Sequence, residues 1–283
     1  MRTDLAAESD NVLRAASVRE YERDGFKIHE MTAEKDCGDF RRGRYVTVGV
    51  GRLWVYEKSA LKRAEKVLSE VIGELVGAFV GSKKASFLVV CLGNRHITSD
   101  ALGPLTAEKL IVTRHLRSEN GELLESLGGC EVAVITPGVT GETGVETLEA
   151  VSSAVKAVKP DLVICIDALA ARSSERLATT VQVTSVGISP GSGVGNHRSE
   201  ISLATLGVPV VSIGVPTVVE SSTLVCDALE NAGMGEVCRQ LSDVLENQRS
   251  FFVTPKNADV AVTAQAELIA RAINRLFFGI PEL

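Results

Sequence analysis

From residue 85 onward, short unbroken apolar runs alternate with stretches whose apolar residues recur at helical spacing. The runs are SFLVVCLG (86–93), EVAVITPG (131–138), DLVICIDA (161–168) and VPVVSIGVP (208–216). Between and after them come LTAEKLIVTRHL (105–116), VETLEAVSSAVKAVK (145–159) and a helical pattern over 218–231. Strands that are apolar on both faces belong to a sheet covered on both sides, and intervening amphipathic helices make the crossovers parallel. The pattern therefore predicts an α/β fold: a three-layer sandwich with a mixed, mainly parallel sheet.

Upstream the rhythm differs. FKIHEMTAE (26–34) and GRYVTVGVG (43–51) alternate apolar and polar residues, as half-buried antiparallel strands do. LKRAEKVLSEVIGELVGAFV (61–80) has the spacing of an amphipathic helix. Residues 1–25 are polar with no sustained period and read as an arm. The expected organisation is one domain over 1–283. An arm, β hairpin and helix occupy 5–84 as a small N-terminal β extension, and the α/β core occupies 85–283. A Ser-, Thr- and Gly-rich stretch over 172–208 reads as one long loop, and loops of that length inside a compact domain are usually functional. A last helix is expected over about 258–277.

The 283 residues are 45% hydrophobic and 23% charged, with mean hydropathy +0.16, which is globular composition. A net charge of -6 disfavours direct nucleic-acid binding, which needs a Lys/Arg excess to follow phosphates. No signal segment and no apolar run long enough to span a bilayer is present, so a cytoplasmic location with no membrane partner is expected. The six cysteines, at 37, 91, 130, 165, 226 and 238, form no C-x-x-C pair and are expected to be reduced.

Two aspartates stand at strand exits. Asp100 follows the strand expected at 85–92, in GNRHITSDALGP (93–104), and Asp167 ends DLVICID. Parallel strands deliver their C-terminal ends to one edge of a sheet, where α/β proteins place reactive groups. Two close carboxylates share a proton, so one serves as base toward water and the other as acid toward a leaving group. The structural alternative for Asp100 is a helix cap. Asp167 has a weaker one, since a carboxylate after five apolar residues is costly to bury without a partner.

Other signals are poorer. GSGVGN, within ISPGSGVGN (188–196), fits neither phosphate-binding pattern, and Ser192 fails the nucleophile-elbow pattern; a wall-forming glycine loop is the better reading. In PGVTGETGVET (137–147), Glu142 or Thr143 is a candidate to cap the next helix or face the site. His29, His96, His115 and His197 form no H-E-x-x-H; a metal held by Asp100, Asp167 and a histidine stays an alternative, while no metal or other cofactor is the expectation.

Seven motifs, in order, together resemble one family: RTDLAAE (2–8), GNRHITSDALGP, PGVTGETGVET, DALAAR (167–172), SPGSGVGNHR (189–198), TLGVPVVSIGVPTVVE (205–220) and VTPK (253–256). The family is the germination protease of spore-forming bacteria. The resemblance implies an endopeptidase that degrades small acid-soluble spore proteins, a homotetramer, a self-processing zymogen, and a fold similar to hydrogenase-maturation peptidases. Its catalytic aspartates fall on Asp100 and Asp167. Members cut after an acidic residue and before an apolar one followed by alanine, which Asp4-Leu5-Ala6 spells. The resemblance thus implies an autoprocessing site at Asp4 and Leu5, with residues 1–4 as a short propeptide.

An acidic substrate side chain wants a cationic pocket, for which Arg172 and Arg198 are the candidates. The chain departs from the family pattern at Ser99, where proline is usual, and at Ser185-Val186-Gly187, where Asp-Thr-Gly is usual. Glu220 stands where aspartate is common, and the segment between Glu220 and VTPK is short. Two rival readings follow: a metal-dependent peptidase on the same scaffold, and a binding protein that keeps the fold without turnover.

Overall fold

A computed structural model describes residues 3–9, 13, 16–36, 38, 40–81, 84–191, 199–246 and 251–279. Among the described residues, nine strands form one mixed sheet: β1 (Ala16–Arg23), β2 (Phe26–Ala33), β3 (Gly43–Gly49), β4 (Ser86–Cys91), β5 (Glu131–Ile135), β6 (Leu162–Ala171), β7 (Thr180–Thr184), β8 (Val210–Glu220) and β9 (Phe252–Val253). Their order is β1-β2-β3-β7-β8-β6-β4-β5, with β9 added beside β8. The strands β8, β6, β4 and β5 run parallel to one another, and the remaining pairings are antiparallel.

The helices are α1 (Lys58–Gly77), α2 (Leu102–Ala107), α3 (Leu116–Glu119), α4 (Gly121–Ser126), α5 (Thr140–Thr143), α6 (Thr147–Val158), α7 (Leu203–Leu206), α8 (Ser221–Asn231), α9 (Gly235–Glu246) and α10 (Ala258–Phe278). Alternate residues of the parallel strands feed two cores. Ile164, Ile166, Val211 and Ile213 pack with α1 and α10 on one face, while Val163, Cys165, Leu88 and Val90 pack with α6 on the other. This is the three-layer α/β sandwich read from the unbroken apolar runs. The stripe of α1 (Val67, Leu68, Val71, Ile72 and Leu75) is fully buried, as its spacing demands.

Four local expectations need correction. The polar N-terminal stretch contains β1, an edge strand with mostly exposed side chains, so no apolar alternation marked it. Its turn residues did: Asp24 (φ 50°) and Gly25 (φ 88°) make the two-residue hairpin link, whose positive φ values suit the Asp-Gly pair. Residues 172–208 are not one loop. The segment holds β7, a wholly buried strand that bridges β3 to β8 and makes the N-terminal extension continuous with the core sheet.

The helix expected over 105–116 ends at Ala107, because the β-branched residues beyond it lie against β5: Thr113 and Arg114 both donate their main-chain N–H to Val132 O. Finally, Cys226 and Cys238 are joined as a disulfide between α8 and α9, so not all the cysteines are reduced. The burial argument held for Cys91, Cys130 and Cys165, which are free and buried; Cys226 and Cys238 instead face each other across a helical hairpin. Cys37 lies outside the described residues.

Ile164, fully buried in β6, tests this layering. Ile164→Ala should lower unfolding free energy by about 2–5 kcal/mol, seen as a reduced urea midpoint with an unchanged slope.

Candidate active site

The parallel strands end unevenly. β4 stops at Cys91, and its last pairing with β6 is Cys91↔Ile166, whereas β6 runs on to Ala171 beside β8. Beyond Ile166 the β4 side of β6 is therefore open, and a cavity of about 560 Å³ lies there. Asp100 and Asp167 both line it, together with Asp4, Asn94, Ser99 and Thr217. Asp167 is 5% exposed, and its Oδ1 accepts the N–H of Ala168 at 2.9 Å.

The glycine at the strand exit has a steric explanation. Gly93 has φ +114°, and a Cβ there would stand 2.0 Å from the main-chain oxygen of Asp100. The chain thus folds back on itself, and Asp100 Oδ2 accepts the N–H of Asn94 at 2.8 Å. Asp100 is not a helix cap. Ala101 occupies the N-cap position of α2, and that residue makes no side-chain cap bond. The Thr217 hydroxyl, on β8, donates to Ser99 O at 2.6 Å and ties the Asp100 loop to the sheet.

The N-terminal residues also reach the cavity. Asp4 donates its N–H to Ala170 O and accepts the N–H of Ala170 on Oδ2, both at 2.9 Å. Leu5 is fully buried among Leu169, Ala171, Leu177 and Val219. Ala6 packs with Met31, Ala33 and Tyr45. Glu8 anchors the far end: its carboxylate accepts the N–H groups of Arg172 (2.6 Å) and Ser173 (3.0 Å) and pairs with Arg176. Sequence reasoning singled out Asp4 and Leu5 but not Glu8 or Thr217, nor Gln182 on β7, whose side chain bonds Asp4 O and the N–H of Ala6. The only signal for Gln182 was a lone amide in the apolar alternation of TVQVT.

The remaining candidates are dispersed. Arg172 does not line the cavity, and its guanidinium donates to Glu230 at 2.5 Å. Arg198 and His197 lie outside the described residues. His96 and His115 are exposed, and His29 sits on β2 beside Glu20. Among the described residues, no three His, Cys, Asp or Glu side chains converge as a metal-ligand set. Pro190 and Gly191 form part of the cavity wall, as do Gly138, Val139 and Gly141. α6 is capped by Glu146 in a capping box with Glu149, not by Glu142 or Thr143. Among the described residues, no helix is long and apolar enough to cross a membrane.

A parallel-stranded α/β sheet that opens, at its C-terminal edge, on a cleft lined by two aspartates has the layout of a hydrolytic enzyme. The comparisons with known proteins make this specific. The family model described as germination protease matches residues 2–249, and the chain belongs to that family of peptidases. A germination protease of Clostridium perfringens (strain 13) is 36% identical over 312 residues, covering 97% of this chain and 94% of its own. One from Bacillus licheniformis is 39% identical, covering 81% of this chain and 66% of its own. Among solved structures, a [NiFe] hydrogenase maturation protease from Thermococcus kodakarensis is similar at TM-score 0.40 and 18% identity, covering 73% of this chain and 98% of its own.

The three free, buried thiols are chemically quiet. Burial pushes Cys91 up to about 12 and Cys130 up to about 11; it also raises Cys165, with smaller contributions from Asp167 and Cys91. All three are therefore protonated at pH 7–9. Alkylating the native protein should leave them unlabelled and peptide cleavage unchanged; inactivation that tracks labelling of one of them would assign a thiol nucleophile.

Proposed function

We propose that this chain is a self-processing endopeptidase that begins the degradation of small acid-soluble spore proteins at germination. It cuts after Asp or Glu and before an apolar residue. The observation that carries the reading is one cavity lined by Asp100, Asp167 and the Asp4 of the chain's own acidic-apolar-alanine sequence. Family membership supports the spore protein substrates, a homotetrameric zymogen, and work inside the developing and dormant spore.

In this reading the ionised member of the Asp100–Asp167 pair takes a proton from water as the water oxygen bonds to the carbonyl carbon. The protonated member then gives its proton to the leaving nitrogen as the C–N bond breaks. One water is consumed, and the products are a carboxylate and an amine. The uneven ends of β4 and β6 support the pairing, since Asp167 on β6 and Asp100 in the turn that follows β4 line the same cavity. Recognition of the acidic residue falls to Arg172, which exchanges Glu230 for substrate, and to Arg198.

The same reading makes Asp4-Leu5 the self-cleavage site. Leu5 in its apolar pocket and Ala6 beside Tyr45 support it, because the two residues after the cut are held in pockets that suit their size. Asp4→Ala should leave the N-terminal mass unchanged under conditions in which the unaltered chain comes to begin at Leu5. Processing of the variant at an undiminished rate would remove the acidic residue from the specificity.

Asp100→Asn and Asp167→Asn should each reduce cleavage of a spore-protein substrate by at least ~10²–10⁴-fold, with melting temperatures close to that of the unaltered protein. Near-normal turnover in either variant would reduce that aspartate to a structural role.

A further inference from the structure

The strongest unassigned feature is a buried amide beside the cleft. Gln182, on β7, is 4% exposed, and both ends of its side chain are spent on the N-terminal arm. Its Nε2 donates to Asp4 O at 3.1 Å, and its Oε1 accepts the N–H of Ala6 at 2.8 Å. One side chain thus holds the carbonyl of the Asp4–Leu5 peptide and the N–H of the Leu5–Ala6 peptide after it.

The sheet register places this grip next to the carboxylates. Gly214 on β8 is paired with Asp167 on one side and with Gln182 on the other. Residues paired across neighbouring strands project to the same face, so Gln182 and Asp167 flank a bare position, two strand spacings or roughly 10 Å apart at their Cα atoms. A Cβ on Gly214 would come within 2.4 Å of the Leu169 side chain, which leans over that position, and Leu5 packs against Leu169. The missing side chain at Gly214 makes room for Leu169, which in turn supports Leu5 of the arm.

We propose that Gln182 is a catalytic residue for self-cleavage, its Nε2–H stabilising the negative charge that develops on the Asp4 carbonyl oxygen. This rests on the self-processing reading above. When the water oxygen bonds to the Asp4 carbonyl carbon, the electron pair of the C=O bond moves onto that oxygen, where the amide already donates. The pair returns as the bond to the Leu5 nitrogen breaks, and that nitrogen leaves with the proton supplied by the aspartate pair. A donor already positioned in a buried site needs no reorganisation as the charge develops, which is why such donors carry a large share of acyl-transfer catalysis. The Ala6 contact does separate work: it anchors the chain just past the cut, so Leu5 keeps its pocket while the carbonyl is attacked.

The two contacts can be separated by substitution. Gln182→Glu keeps an acceptor for Ala6 and loses the donor, whereas Gln182→Met removes both at similar length. Conversion to a chain beginning at Leu5 is followed by intact mass in the unaltered protein and both variants. Both should slow it by roughly 10²–10³-fold, the cost of one oxyanion donor. Amide exchange at Ala6 should stay slow in Gln182→Glu.

Wild-type processing rates in Gln182→Glu would show that the residue only anchors the arm, and would overturn the proposal. If Gln182→Met does not fold, Gln182→Glu alone decides, since its shape and Ala6 contact are retained. An unaltered protein that cleaves peptides yet never changes its own terminus would instead refute self-processing, a different outcome from processing that ignores Gln182.

Discussion

The site depends on one inequality of length: β4 ends five residues before β6 does, at Cys91 against Ala171 along a shared register. Hydrogen bonding fixes the parallel ladder up to Ile166, and past that point half of the main-chain groups of β6 lose their strand partner. Buried polar groups need partners, so the vacated edge is where other chain segments converge. The Asp100 loop folds back over Gly93 beside it, and Asp4 bonds to Ala170 on it. Asp167 stands at the first position beyond the ladder. The cavity follows from a strand that stops early in a sheet whose neighbours do not.

The second organising element is β7, which links the antiparallel hairpin to the parallel core. Without it, β1 to β3 would form a separate ribbon too small to be stable alone. With it, the N-terminal arm can lie across a continuous surface from Tyr45 on β3 to Ala170 on β6. One side chain of β7, Gln182, points to that surface, whereas Val181 and Val183 enter the core with α1 and α10. The strand therefore belongs to the scaffold by its valines and to the arm by its amide.

The core strands were legible because burial on both faces leaves an unbroken apolar run, and the two aspartates because each follows such a run. β1 escaped because an edge strand with charged faces has no apolar period, and β7 because five residues inside a Ser- and Thr-rich stretch carry too little pattern. Asp4 stood out through a motif, yet its bonds to Ala170 depend on contacts across more than 160 positions that no local pattern encodes. Arg172 shows a different gap. Its charge suggested a pocket, and that it is held by Glu230 on α8 is visible only once α8 is packed.

The arm also sets a competition. Because Thr3–Ser9 belongs to the same polypeptide as its groove, it is presented at an effective concentration governed by the tether, which for short flexible links is in the millimolar range. A soluble peptide seeking the same edge of β6 meets a resident at that concentration, and dilution of the protein does not weaken it. Any other chain that binds this edge has to displace the arm first, and its abundance alone is a poor lever.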